Sequence, residues 1–90
     1  MELVRIKKPT EEELASLGID EWPIWEKEVS TFDWFYSEPE TFYVLEGKVR
    51  VEMDRGEPVE FGKGDLVHFS QGVGCKWDVQ EPIRKHYKFG

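Results

Sequence analysis

From Thr41 to the C-terminus the chain runs in short apolar stretches that glycine or proline repeatedly interrupts. Within them the period is two. Val49, Val51 and Met53 alternate with Arg50 and Glu52, giving one buried and one wet face. Thr41-Phe42-Tyr43-Val44-Leu45-Glu46 is β-branched and aromatic, and Gly47-Lys48 after it predicts a hairpin turn into the run from Val49 to Met53. Asp54-Arg55-Gly56-Glu57 is the next turn. Val59 and Phe61 form a strand that ends at Gly62-Lys63-Gly64-Asp65, and Leu66 to Phe69 form another, followed by the turn Gln71-Gly72-Val73-Gly74. Two last strands, Cys75 to Val79 and Ile83 to Phe89, are separated at Glu81-Pro82. Strands spaced about 8 to 12 residues apart between such turns predict an all-β sandwich or barrel.

One short helix is predicted before them. Thr10 is its N-cap and Glu13, three residues on, completes a capping box. Glu11, Glu12 and Glu13 sit at the positive end of the helix dipole, and Gly18 suits the left-handed C-terminal cap. Leu14 and Leu17, three apart, are expected to press on the body of the protein. Ninety residues make one domain, 1–90, with an N-terminal strand and helix arm over 1–19 and the barrel over 20–90. A core that small is marginal unless a partner subunit covers more of it. A hydrophobic share of 39% is too rich for disorder. Lys and Arg total 12 against 19 Asp and Glu, for a net charge of −7, which argues against nucleic acid. Residues 11–60 carry that charge between basic ends, either as a solvated acidic face or as a partner for those ends. No apolar run nears the roughly 20 residues of a membrane span, and the N-terminus lacks a signal-peptide core. No membrane partner is expected, and a single cysteine, unable to form an internal disulfide, points to the cytoplasm.

Two segments match a spaced pattern. The first is Trp34-Phe35-Tyr36-Ser37-Glu38-Pro39-Glu40, then six residues, then Gly47; the second runs from Gly64-Asp65 through Gly72 to Cys75. They resemble the two cupin motifs. With Trp25-Glu26, Trp77 and Arg84-Lys85-His86-Tyr87, they are similar to the small single-domain cupins grouped with (S)-ureidoglycine aminohydrolase and the EutQ domain. The resemblance covers roughly residues 20–90 and implies a double-stranded β-helix, the jelly-roll barrel. Cupins usually hold a divalent metal through two histidines and a glutamate of the first motif and a histidine of the second. Here those positions are Trp34, Tyr36, Glu40 and Cys75. Glu40 alone is a standard ligand, and Cys75 is a soft one. No cofactor is therefore expected.

What the pattern does predict is a pocket for a small polar molecule. Trp34 and Tyr36 are expected to point inward, as the family's histidines do, with Glu40 and Phe42 on one shared strand face and Cys75 and Trp77 on another. Lys85 shares a face with Tyr87 and either reaches the pocket to pair with Glu40 or belongs to surface or dimer-edge charge. Such a lining is mostly apolar with few convergent polar groups. Glu40 and Tyr36 are the candidate acid–base groups. The indoles would otherwise be barrel filling, Cys75 an inert buried thiol, and His68 a structural residue. Eight aromatics lie between Trp22 and Tyr43, more than one inner face can bury; Phe35 and Tyr43 fall on the outer parity. An outer aromatic strip predicts a two-fold homodimer. Three classes stay open: a ligand-binding cupin, a hydrolase or lyase on ureido or amino compounds, and a non-catalytic accessory or partner-binding module.

Overall fold

The computed structural model describes residues 3–90; Met1 and Glu2 of the expected N-terminal arm lie outside the described residues. Strand β1 (Val4–Lys7) is followed by helix α1 (Glu11–Leu17) and a 3₁₀ turn (Ile19–Glu21). Six strands complete the chain: β2 (Ile24–Lys27), β3 (Ser30–Phe35), β4 (Glu40–Met53), β5 (Val59–Gly62), β6 (Leu66–Phe69) and β7 (Gly74–Phe89).

Two long strands organise the rest. β4 and β7 pair antiparallel from Glu40 opposite Phe89 to Met53 opposite Cys75. Each changes its outer neighbour along its length. The first half of β4 takes β6 and its second half takes β5. The first half of β7 takes β3 and its second half takes β2. β1 adds to the outer edge of β6. The ladder thus bends into two facing sheets over one core. Phe42 and Phe69 come from one sheet, Phe61 and Trp77 from the other. Their ring centroids lie 5.2 Å apart for Phe42–Phe61, 5.4 Å for Phe61–Trp77 and 5.8 Å for Phe42–Trp77, within the range of favourable aromatic pairing. This is the all-β cupin architecture, with one short helix.

Gly47 does not end a strand. The predicted hairpin at Gly47-Lys48 is replaced by one continuous β4, and the register against β7 slips between Val44 and Val49. The slip is a bulge, which adds a residue on one strand and bends it. Its effect is visible in burial: Glu40, Phe42 and Val44 face inward before it, Val49 and Val51 after it, so the inward parity flips from even to odd. Gly47 has φ 107, and a Cβ there would lie 2.4 Å from the Pro82 carbonyl oxygen and 2.7 Å from the Ile83 Cα. The bend of β4 therefore rests directly on backbone of β7. The predicted break at Glu81-Pro82 is also absent, because β7 runs unbroken from Gly74 to Phe89. Pro82 has no N–H to give a ladder, and the irregular register opposite Gly47 is where a strand tolerates that.

The capping box forms as predicted: Glu13 N–H donates to Thr10 Oγ1 and Thr10 N–H to Glu13 Oε1, both at 3.1 Å, and Gly18 caps the C-terminus in the left-handed region. The expected packing of the helix does not form. Leu14 is half-buried, Leu17 is 44% exposed and no α1 residue is buried. Seven residues give only two turns, too few to build a full apolar stripe. Ile19, just beyond the helix, is the buried anchor.

Gly47→Ala is expected to lower stability by about 3 kcal/mol or more, combining backbone strain with the clash at Pro82. Gly56 also has a positive φ, 92, but its nearest neighbour to a new Cβ is Leu3 at 3.9 Å, so Gly56→Ala should lose only about 1–2 kcal/mol. Urea melts of both variants check this, and equal losses would refute the tight corner.

Candidate functional site

At one end the two sheets part around a cavity of about 370 Å³. Its floor holds two opposite charges. Glu40 opens β4, and Lys85 lies on β7 between Val44 of β4 and Trp25 of β2. Lys85 Nζ donates to Glu40 Oε2 at 2.8 Å, and the two side chains are only 5% and 4% exposed. The ammonium also sits over three rings: Phe42 at 3.9 Å, Trp77 at 4.8 Å and Trp25 at 4.9 Å. Ring faces attract a cation, and more so where water is excluded. Burial nevertheless pushes the Lys85 amine below its ordinary range, opposed by the Glu40 charge and hydrogen bond. A bare buried charge is costly, and these partners are what make this one tolerable.

Tyr36 completes the floor. The turn at Gly72-Val73 holds its backbone: Tyr36 N–H donates to Val73 O at 2.9 Å, and Gly72 N–H to Tyr36 O at 2.7 Å. Its ring stacks on Phe69 with centroids 4.7 Å apart. Burial, then the negative charge of Glu40, raise its pKa; its hydroxyl stays protonated and bonds toward Glu40. The Trp77 indole N–H lies near enough to the Tyr36 hydroxyl and the Cys75 thiol to favour their ionised forms, yet it makes no hydrogen bond of acceptable geometry and is buried. Buried donors are rarely left so.

Of the seven residues expected around the pocket, Trp34, Tyr36, Glu40, Trp77 and Lys85 line it. Phe42 and Cys75 do not. Phe42 lies beneath the Lys85 ammonium. Cys75 packs behind the wall, where its thiol donates to the Trp34 carbonyl at 3.6 Å. Trp34 is on the expected face but remains 46% exposed, because β3 is paired only to β7 and its other edge is open at the mouth. Trp25, Lys27, Phe32, Asp33, Tyr87 and Phe89 also line the cavity. Parity could have found several of them: Phe32 alternates with Trp34, and Tyr87 and Phe89 with Lys85. His68 is outside the site and pairs with Thr41 Oγ1 at 2.8 Å.

The residues do not fit a divalent metal. Trp34 and Tyr36 bring no imidazole, Cys75 is turned to a backbone carbonyl, and an ammonium occupies Glu40. Among the described residues, no three His, Cys, Asp or Glu side chains gather as a ligand set. The weak candidates Glu40 and Cys75 therefore do not act as a pair.

Removing one partner of the buried pair strands the other charge. Lys85→Met and Glu40→Gln should each cost about 3–5 kcal/mol in urea melts. The double variant Lys85→Met/Glu40→Gln should lose less than their sum by about 1–3 kcal/mol; strict additivity would mean the charges are not coupled. Burial pushes the Cys75 thiol up to about 11, only partly opposed by the Trp77 N–H. A folded pKa above the ordinary 9.0 gives stability that is complete below pH 9 and is lost as pH rises toward 11. Relative to Cys75→Ala, the parent should lose about 2–3 kcal/mol across that window, and a parallel pair of stability curves would contradict it.

Comparison with known proteins gives the fold and the family. A solved DUF861 family protein from Thermotoga maritima is 54% identical, with TM-score 0.95 over 97% of this chain and 99% of that one. The Clostridium difficile EutQ protein is 27% identical, with TM-score 0.66 over 73% of this chain and 52% of that one, so this chain matches about half of its length. A putative ethanolamine utilization protein Q from Salmonella typhimurium LT2 is 19% identical, with TM-score 0.66 over 96% of this chain and 68% of that one, a likeness of fold alone. No curated protein matches the chain. The EutQ-like cupin domain family matches residues 14–87, and the chain belongs to that family.

Proposed function

We propose that the cavity binds a small polar molecule through a flat head group that both accepts and donates hydrogen bonds, as an amide or ureide does. The buried Lys85–Glu40 pair on an aromatic-walled floor carries this reading. The ammonium offers protons to a carbonyl oxygen, and the carboxylate accepts an N–H from the same group, so both bonds are charge-assisted. A ligand with a net charge would bring an unmatched charge into a site whose own charges already cancel. The walls are indole, phenyl and phenol faces that stack on a planar molecule. If the ligand is turned over, Glu40 and Tyr36 are the groups placed to move protons, and a hydrolase or lyase acting on ureido or amino compounds is the corresponding enzyme.

A second feature favours a homodimer. Val29 is 60% exposed, Trp34 46% and Phe35 62%, all at or beside β3. Apolar surface of this kind at a sheet edge suits a two-fold contact. With its one thiol buried and unpaired, the chain fits a reducing cytoplasm. Among the described residues no helix is long and apolar enough to cross a membrane.

Thermal unfolding with benzamide, phenylurea, phenylacetate and phenethylamine tests the ligand class. At about 100-fold excess over Kd, a ligand adds about 2.7 kcal/mol, which for a chain this size raises Tm by roughly 10–20 °C. The amide and ureide should stabilise the parent, and Glu40→Gln, measured against its own Tm, should respond to neither. Stabilisation by the carboxylate or amine alone would refute the reading.

A further inference from the structure

The cavity is large enough for a small organic molecule, and of the two lysines that line it, Lys27 and Lys85, only Lys85 is buried. Its hydrogen-bond partner is a carboxylate at 2.8 Å, which can take its proton and return it elsewhere. We propose that Lys85 is a carbonyl-reactive amine that condenses with a small uncharged aldehyde to form an imine; this rests on the cavity being the ligand site proposed above.

The chemistry closes on groups already present. Glu40 takes one proton from the Lys85 ammonium, and the freed amine attacks the aldehyde carbon, forming a C–N bond. The carbonyl oxygen takes up a proton as nitrogen gives one up, leaving a neutral carbinolamine. Glu40 then returns its proton to that hydroxyl, the C–O bond breaks and water leaves. The product is a protonated imine facing the Glu40 carboxylate, so the charge of the floor is the same before and after. No oxidant or reductant enters.

The surroundings select the carbonyl. Phe42, Trp77 and Trp25 hem Nζ at 3.9, 4.8 and 4.9 Å, and three rings this close crowd a carbonyl carbon with two substituents more than one with a single substituent. An aldehyde fits there better than a ketone. Burial also lowers the proton affinity of Lys85, and a desolvated lysine in an apolar pocket is a recognised route to an amine nucleophile.

The test uses the unmodified protein. It is incubated in mildly acidic buffer, where exposed lysines are protonated, with limiting benzaldehyde and cyanoborohydride, which reduces any imine to a stable benzyl amine. Peptide mass mapping should place most of the benzyl group on Lys85, with every other lysine, including Lys27 in the same cavity, labelled less. Excess benzamide, which has the same flat shape but cannot form an imine, should protect Lys85. Labelling spread over the exposed lysines, with Lys85 unmodified or no faster than they are, overturns the proposal. If benzamide still raises the Tm in that case, the binding reading stands and only the covalent step fails; if it does not, both fail.

Discussion

The pairing of β4 with β7 is the constraint on which the rest of this structure depends. Every other strand except β1 is hydrogen-bonded to one of these two. Their shared bend, where Gly47 rests on Pro82 and Ile83, divides one ladder into two facing sheets. Without the bend, Phe42 and Trp77 would not face each other across a core. The bulge also changes which parity faces inward, so the same strand supplies Glu40 to the cavity and Val51 to the core. Fold and site are thus set by one irregularity.

The buried charges follow from that geometry. Glu40 stands at the start of β4 and Lys85 in the second half of β7, forty-five positions apart in sequence, and the antiparallel ladder brings them together. Once there, each is the reason the other can be charged. The three rings around Nζ add attraction that water would otherwise screen. Tyr36 keeps its proton because it is buried and because the same carboxylate lies beside it. The floor is a coupled set of groups in which a change at one is felt by the other two.

Much of the architecture was legible in the residues, because period-two alternation and turn glycines are local signals. The faces of Glu40, Phe42 and Val44 and of Cys75, Trp77 and Val79 were readable from parity alone, and all six are buried. The capping box at Thr10 and Glu13 was equally local. What was not legible depends on contacts between distant segments. A glycine in an alternating run looks the same whether it turns the chain or bends it, and only the approach of Pro82 distinguishes the two at Gly47. Trp34 has the inner parity, yet inner and buried are different things on a strand that ends at a mouth. Lys85 could be placed on a face but not matched to a partner, since its pairing with Glu40 is set by the register of the long ladder.

The ring of aromatics around Lys85 has a consequence for how the site keeps its charge. Where other members of the fold use a dissociable ion, this cavity carries its cation on a covalent tether. Such a charge cannot be stripped by a chelator, exchanged for a competing ion or lost when an element is scarce. It is installed when the chain is made. Its only switch is a proton, passed across the 2.8 Å between Nζ and the Glu40 carboxylate.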